Sequence, residues 1–278
     1  MKHNVWIILM ILPILLCACF SAPIETPPTE TTAPIIESTP GDATAIPTTE
    51  VTVSVTADVT APPITETTVP LHSDLYIPDV PVEAVLQYFN EVVLAAEFVN
   101  GGDPSRVQKW VDSILFTVSG DYTELDWARL MSFCSWLNTI EGFPGMYEAE
   151  NPQEANLDIH FCTGEEIPQI LGDHFRDMDG GVTFWYDGMD QIYNATICYR
   201  NDIGQYTRNS VILEEIYNGL GPVQDTNIRE DSICYSGFSE PQSLTEIDEL
   251  ILRLLYHPDI LCGMNAEECE AVIRNLYY

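Results

Sequence analysis

Side chains that carry oxygen donors are concentrated between residues 214 and 225 of this sequence. Glu214 and Glu215 are adjacent, Asn218 follows one helical turn later, and Asp225 comes after a Leu-Gly-Pro turn. Carboxylate and amide oxygens suit calcium, magnesium or manganese better than zinc. A divalent metal is therefore possible here, with Glu214, Asn218 and Asp225 as weak candidate ligands, although no cofactor is predicted outright.

A plainer interpretation of the same residues is structural. Adjacent positions on a helix point about 100° apart, so Glu214 and Glu215 cannot easily face one ion. We therefore favour Glu215 as a buried carboxylate that is hydrogen-bonded to the sheet or the turn, and Asp225 as a residue that caps a turn.

The segment resembles the zinc helix of metzincin peptidases, H-E-x-x-H-x-x-G-x-x-H, without its histidines. Glu214 and Asn218 stand at the first two histidine positions, residues 224–225 (Gln-Asp) at the third, and Gly221 at the glycine. Glu215 stands at the glutamate that serves as general base, so the resemblance implies a catalytic residue that has become vestigial. Without imidazole ligands no zinc would lower the pKa of a bound water, and a conventional zinc peptidase is not expected.

Two further segments extend this resemblance. Residues 232–235 (Ser-Ile-Cys-Tyr) resemble the methionine turn, with Cys234 in place of the methionine, and residues 244–256 resemble the closing helix that begins Leu-Thr and contains an Asp. The chain also resembles the bacterial exported proteins of family DUF2927, through Glu214-Glu215, Leu220-Gly221, Asp225, Leu255-Tyr256 and Gly263-Met264. That family has no settled activity, so the resemblance implies a fold rather than a reaction.

The amino-terminal part predicts export. Residues 1–19 have the form of a lipoprotein signal segment, in which Leu16-Cys17-Ala18 precede a candidate lipid-attachment residue, Cys19. Residues 20–74 are dominated by Thr and Pro and predict a disordered tether, and residues 75–278 predict one globular domain. We expect an exported protein of the bacterial cell surface, anchored to the membrane at Cys19; simple secretion is the alternative.

Composition limits the partners. The chain has 10 Lys and Arg against 43 Asp and Glu, a formal net charge of -33, so nucleic acid is excluded as a partner. Six Cys lie in the domain, which permits three disulfides; buried apolar thiols are the alternative. Three domain histidines, His160, His174 and His257, are isolated in sequence. They could restore a metal or acid-base site only if His160 and His174 converged with Glu215.

The elements that must position these residues follow from apolar periodicity. It predicts helices at 82–94, 123–140, 165–171, 209–220, 244–256 and 266–276, a loop at 142–151, and strands at 110–119, 155–162, 182–186 and 192–199. The order predicts an α+β fold, a metzincin-like mixed sheet with the motif helix, a turn and C-terminal helices.

The function expected from these features is binding. A non-catalytic domain derived from a metzincin-like fold would take an extended extracellular peptide or cell-wall component beside the motif helix, by strand addition. The alternative is a hydrolase in which Glu215 acts as general base with a nonstandard metal site. The sequence does not identify the ligand, the disulfide pattern or the oligomeric state.

Overall fold

A computed structural model of the protein describes residues 73–95 and 105–278. These residues contain six strands and six α-helices. The helices are α1 (Val82–Val93), α2 (Glu124–Leu137), α3 (Ile167–Ile170), α4 (Gln205–Gly219), α5 (Glu246–Tyr256) and α6 (Ala266–Tyr277). The strands are β1 (Lys109–Trp110), β2 (Ile114–Gly120), β3 (Met146–Glu148), β4 (Leu157–Cys162), β5 (Gly180–Tyr186) and β6 (Gln191–Arg200). All these residues belong to one compact unit, Thr65–Tyr278.

The strands form one mixed sheet. Strands β3, β2, β4 and β6 lie side by side and parallel, and β1 pairs in parallel with the first two residues of β6. Strand β5 runs antiparallel to β6 and pairs with no other strand of the described chain, so it is an edge strand. This arrangement confirms the α+β class.

The two faces of the sheet are covered differently. On one face, apolar side chains such as Phe116, Ile159 and Ile197 join the main core, and α2 and α4 pack there. On the other face, Cys162 and Cys198 form a small second cluster that is completed by Ile167, Leu171 and Phe175. Strand β2 therefore continues into a helix on one face, whereas β4 continues into a short helix on the opposite face.

Three helices begin at the capping boxes that their sequences encode. Thr123, Thr245 and Asn265 each accept a hydrogen bond from the backbone of the third helical residue, and that residue's carboxylate accepts from the backbone of the cap. Such reciprocal caps satisfy backbone donors that the first helical turn leaves open.

Most predicted elements are confirmed, with four differences. The strand expected at 110–119 is two strands, because Trp110 pairs with β6 whereas Ile114 onward pairs with β3 and β4. Strand β3 lies inside the expected loop 142–151, where the Asn138 side chain bonds both Met146 backbone groups. Strand β5 begins at Gly180 rather than at 182, and α4 begins four residues before the expected start.

The disulfides that the six domain cysteines would permit are not formed. Cys134, Cys162, Cys198, Cys234, Cys262 and Cys269 are all free thiols, and all but Cys262 are buried. The alternative of buried apolar thiols therefore describes them. Cys19 and the Thr/Pro-rich segment lie outside the described residues. No helix within residues 73–95 and 105–278 is long and apolar enough to cross a membrane.

Candidate functional site

Helix α4 carries the predicted motif and lies across β5 and β6. Its residues Val211, Ile212 and Ile216 are buried against the sheet. At its amino-terminal end, Arg208 donates from Nε to Asp126 of α2 at 2.7 Å, and both side chains are buried. The helix is therefore fixed by apolar packing along its length and by one buried ion pair at its start.

Glu215 is the most unusual residue of the motif. It is only 8% exposed, and no described residue gives its carboxylate a hydrogen bond or an ion pair. Burial, followed by the charges of Glu214 and Asp225, raises its pKa well above the ordinary value. The expected hydrogen bond from Glu215 to the sheet or the turn is thus absent, and the group is best described as a buried carboxylic acid.

Gly180 makes room for this side chain. A Cβ atom on Gly180 would lie 2.8 Å from Glu215 Oε1 and 2.5 Å from Val211 Cγ1. The glycine that follows, Gly181, faces the opposite side of the sheet, where a Cβ would meet Phe175 and Leu171. The Gly-Gly pair therefore allows close packing on both faces at the start of β5.

Glu214 lies next to Glu215 and is partly exposed. Burial, and then repulsion from Asp225 and Asp179, raises the pKa of Glu214 to about 8. Asp179 itself pairs with Arg200 at 2.9 Å. Glu214 and Glu215 therefore keep their protons to higher pH than ordinary glutamates do.

Asn218 and Cys234 meet beneath the end of α4. The buried Cys234 thiol donates to Asn218 Oδ1 at 3.7 Å. Burial, and then the charge of Asp248, raises the pKa of this thiol well above its ordinary value. The structure thus brings together one residue that the resemblance assigned to the zinc helix and one that it assigned to the methionine turn.

Asp248 fixes the segment around Cys234. Its carboxylate is fully buried and accepts hydrogen bonds from Tyr88 at 2.6 Å, from Ser232 at 2.9 Å and from the Ile233 backbone at 3.3 Å. It also completes the capping box of α5, since it accepts from the backbone of the cap residue, Thr245. One carboxylate therefore joins α1, α5 and the turn that contains Cys234.

The turn after α4 depends on Gly221. This glycine has φ +127°, and a Cβ on it would lie 2.5 Å from the Gln108 carbonyl oxygen. The chain then passes α1, where the Gln224 backbone donates to Val92 at 3.3 Å, and reaches Asp225. Asp225 is partly exposed, and its charge acts on both Glu214 and Glu215.

The predicted residues thus converge around the second half of α4, but the histidines do not join them. His160 bonds Ser119 at 2.7 Å and His174 packs on Phe175, both away from the face that carries Glu215. In the part of the chain that the structure describes, no group of three or more His, Cys, Asp or Glu is placed to hold a metal ion. The arrangement is a largely buried cluster of two carboxyl groups and one thiol.

Two residues important to this site were not recognised in the sequence. Gly180 precedes the strand predicted at 182–186, whereas it lies inside β5 beneath Glu215. Asp248 was noted only as part of the closing helix, although it holds the Cys234 turn. The Thr-x-x-Asp pattern at 245–248 is a capping-box signal that would have identified it.

Comparison with known proteins identifies the family. No protein with curated annotation matches this chain. A family model described as "Protein of unknown function (DUF2927)" matches residues 83–275, which include every described helix and strand except the first residue of α1 and the end of α6. The chain therefore belongs to the DUF2927 family, whose function is not known.

Proposed function

We propose that this domain is a non-catalytic binding module that takes an extended extracellular peptide as an added strand along β5. The observation that carries the proposal is the open edge of β5, which spans Gly180–Tyr186 and pairs only with β6 in the described chain. An unpaired strand edge presents backbone donors and acceptors that a peptide can satisfy.

The hydrogen-bonding pattern between β5 and β6 determines which backbone N–H and C=O groups of β5 point away from β6. The Arg200 backbone N–H donates to the Asp179 carbonyl at 2.9 Å, and Gly180 is the register partner of Tyr199. Hydrogen-bonded pairs alternate along antiparallel strands, so Val182 and Phe184 direct their N–H and C=O groups away from β6. These two residues are the expected anchor points for a peptide backbone.

A derivation from a metzincin-like fold is part of this proposal. It is supported by the position of α4 across β5 and β6, by Gly221 at the turn, and by the contact of Asn218 with Cys234. Without the histidine ligands, such a domain could no longer hydrolyse peptides with zinc, but it could still bind them. A cell-wall component is the alternative ligand.

Val182→Pro tests strand addition directly. Peptides would first be selected on the full chain from a random decapeptide library, and their affinities would then be measured by calorimetry. Proline removes one outward donor and is tolerated where a strand N–H faces solvent, so binding should weaken about tenfold, the equivalent of one hydrogen bond. Thr183→Ala is the matched control, because it leaves every backbone donor in place.

Failure can take two forms in this experiment. If no peptide is enriched, the peptide-binding function is wrong, and wall polysaccharide would be tested next. If peptides bind wild type and Val182→Pro equally, with both proteins equally folded by circular dichroism, the site is not the β5 edge.

A hydrolase is the second candidate, and the unpartnered Glu215 favours it. Buried carboxyl groups with a raised pKa are common among catalytic acids and bases. In this candidate, the ionised form of Glu215, which its raised pKa restricts to higher pH, would activate water for attack on a peptide bond, with or without a nonstandard metal. Glu215→Gln should then abolish turnover of a peptide substrate while leaving its binding unchanged; equal turnover by both proteins would exclude the role.

We also propose that Cys19 carries a lipid that anchors the protein at the bacterial cell surface, with residues 20–74 as the tether. The support is the sequence at 16–19 and the Thr/Pro-rich composition that follows it. Cys19→Ser should abolish incorporation of labelled palmitate and release the protein from the membrane fraction. Retention of the variant in membranes would contradict the anchor.

A further inference from the structure

A cleft of about 470 Å³ opens at the carboxyl ends of β2, β4 and β6. It opens there because β2 leads into α2 on one face of the sheet, whereas β4 leads into α3 on the other. The strand order also reverses at this point, since β3 and β4 lie on opposite sides of β2. Crevices outside the carboxyl ends of parallel strands, at such a reversal, are common ligand sites.

The cleft contains a serine and a histidine in direct contact. Ser119 on β2 and His160 on β4 are register partners, and Ser119 Oγ lies 2.7 Å from His160 Nδ1. This distance is within reach for a hydroxyl to pass its proton to an imidazole base. The serine is exposed, and the second ring nitrogen of His160 has no partner among the described residues, so both groups are accessible from the cleft.

The remaining lining decides which ligands fit. Asp121 and Glu166 contribute carboxylates, and no Lys or Arg lines the cleft, so anionic ligands are disfavoured. The side-chain amides of Gln169 and Asn201 each donate one hydrogen bond to a backbone carbonyl and have a second N–H left. Donors for negative charge that develops on a substrate oxygen are therefore present.

We propose that this cleft is a Ser-His acyl-transfer site that takes uncharged carboxylic esters, with Ser119 as nucleophile and His160 as general base. It lies across the sheet from Glu215 and is independent of peptide binding at β5. Ser119 Oγ bonds to the ester carbonyl carbon while its proton passes to His160 Nδ1. The carbon–oxygen bond to the alcohol then breaks, and the alcohol leaves with that proton.

The second half of the reaction restores the site. Water attacks the acyl group on Ser119 and gives a proton to His160, the bond from the acyl carbon to Ser119 Oγ breaks, and the serine regains the proton. The products are one carboxylic acid and one alcohol for each ester and water consumed. No metal, oxidant or other co-reactant is required.

The test uses the full chain, an uncharged alkyl fluorophosphonate, and p-nitrophenyl acetate as substrate. We expect one adduct per chain by intact-mass spectrometry, mapped to Ser119 by peptide sequencing. Ser119→Ala should abolish labelling, and His160→Gln should slow it about 100-fold or more, the usual effect of losing a general base. Ser113→Ala and His174→Gln are the matched controls and should label and hydrolyse ester like wild type.

A competition experiment needs no variant. Excess p-nitrophenyl acetate should protect wild-type Ser119 from the fluorophosphonate, because both occupy the same cleft. No adduct, an adduct at another residue, or labelling that His160→Gln leaves unchanged in a folded protein would each overturn the proposal.

Discussion

At the scale of single residues, the Glu215 side chain occupies space that only a glycine at position 180 leaves open. Its Oε1 atom lies 2.8 Å from where a Gly180 Cβ would be. Gly180→Ala should therefore displace Glu215 or the strand and lower the free energy of unfolding by about 1–3 kcal/mol, as overpacking usually does. Urea denaturation followed by tryptophan fluorescence would measure the loss.

A second glycine provides the control for this prediction. Gly188 has no heavy atom within 4 Å of an added Cβ and does not have a positive φ. Gly188→Ala should leave stability within about 0.5 kcal/mol of wild type or raise it slightly. Equal losses for both substitutions would show that backbone freedom, rather than contact with Glu215, makes Gly180 necessary.

The protonation of Glu215 gives the domain an unusual dependence on pH. The pKa of Glu215 is raised in the folded protein, so folding takes up a proton at any pH between the ordinary value of 4.5 and the folded value. The contribution of Glu215 to the free energy of unfolding is therefore full below pH 4.5 and is lost as the pH rises through the folded pKa. Each such group should cost about 1.4 kcal/mol per pH unit through that window, and Glu214 adds a second loss up to about pH 8.

Glu215→Gln isolates this effect, because the amide stays neutral at every pH. Unfolding free energies of the variant should fall less steeply above pH 5 than those of wild type, by up to about 1.4 kcal/mol per pH unit. Glu267→Gln, on the exposed side of α6, is the matched control and should keep the wild-type slope. Identical slopes for all three proteins would mean that Glu215 is ionised in the folded state.

At the scale of elements, one buried ion pair joins α2 to α4. Asp126 completes the capping box of α2 and accepts hydrogen bonds from Arg208 Nε at 2.7 Å and Gln205 Nε2 at 2.6 Å. Asp126→Ala should destabilise the domain by about 3–5 kcal/mol, because it leaves the Arg208 charge buried without its partner. Thermal unfolding by circular dichroism would measure the change.

An exposed ion pair gives the comparison. Arg274 on α6 pairs with Glu83 at 3.0 Å and with Glu270 at 2.8 Å, in contact with solvent. Arg274→Ala should change the free energy of unfolding far less than Asp126→Ala does, because solvent screens surface pairs. If Arg274→Ala is as damaging as Asp126→Ala, burial does not set the strength of these pairs.

Apolar periodicity in the sequence predicted some helices and strands well and others poorly. Helices with strong apolar spacing, such as α1 and α5, were predicted to within a few residues because each buries one regular stripe. Strand β3 was missed because its three residues are too few to show a periodicity and are held by pairing with β2 and by the Asn138 side chain. Strand β5 was shortened because glycine usually weakens a strand, whereas here it admits Glu215.

The candidate site was predicted only in part for a similar reason. The motif placed Glu214, Glu215 and Asn218 on one helix, and they lie on α4. Whether Glu215 has a hydrogen-bond partner depends on the strand residues that it packs against. The spacing of residues along the helix cannot reveal these. Ser119 and His160 are 41 residues apart and meet only through strand register.

At the scale of the whole molecule, the net charge of -33 opposes compaction. Salt screens repulsion between surface charges over a length of about 10 Å at 0.1 M. Raising sodium chloride from 10 mM to 500 mM should therefore raise the melting temperature, by roughly a few degrees. Potassium chloride should act equally, and a melting temperature that falls with salt would show that local ion pairs outweigh the general repulsion.

The net charge also affects whether the open edge of β5 can cause self-association. An uncovered strand edge can also pair with the same edge of another copy, which is a common route to aggregation. Mutual repulsion between strongly acidic copies opposes this pairing, so the excess of Asp and Glu would protect the edge at which we propose that peptides bind. That protection ends near the isoelectric point of about 4.1, where edge-to-edge association should become visible by light scattering even though acid stabilises the fold around Glu215.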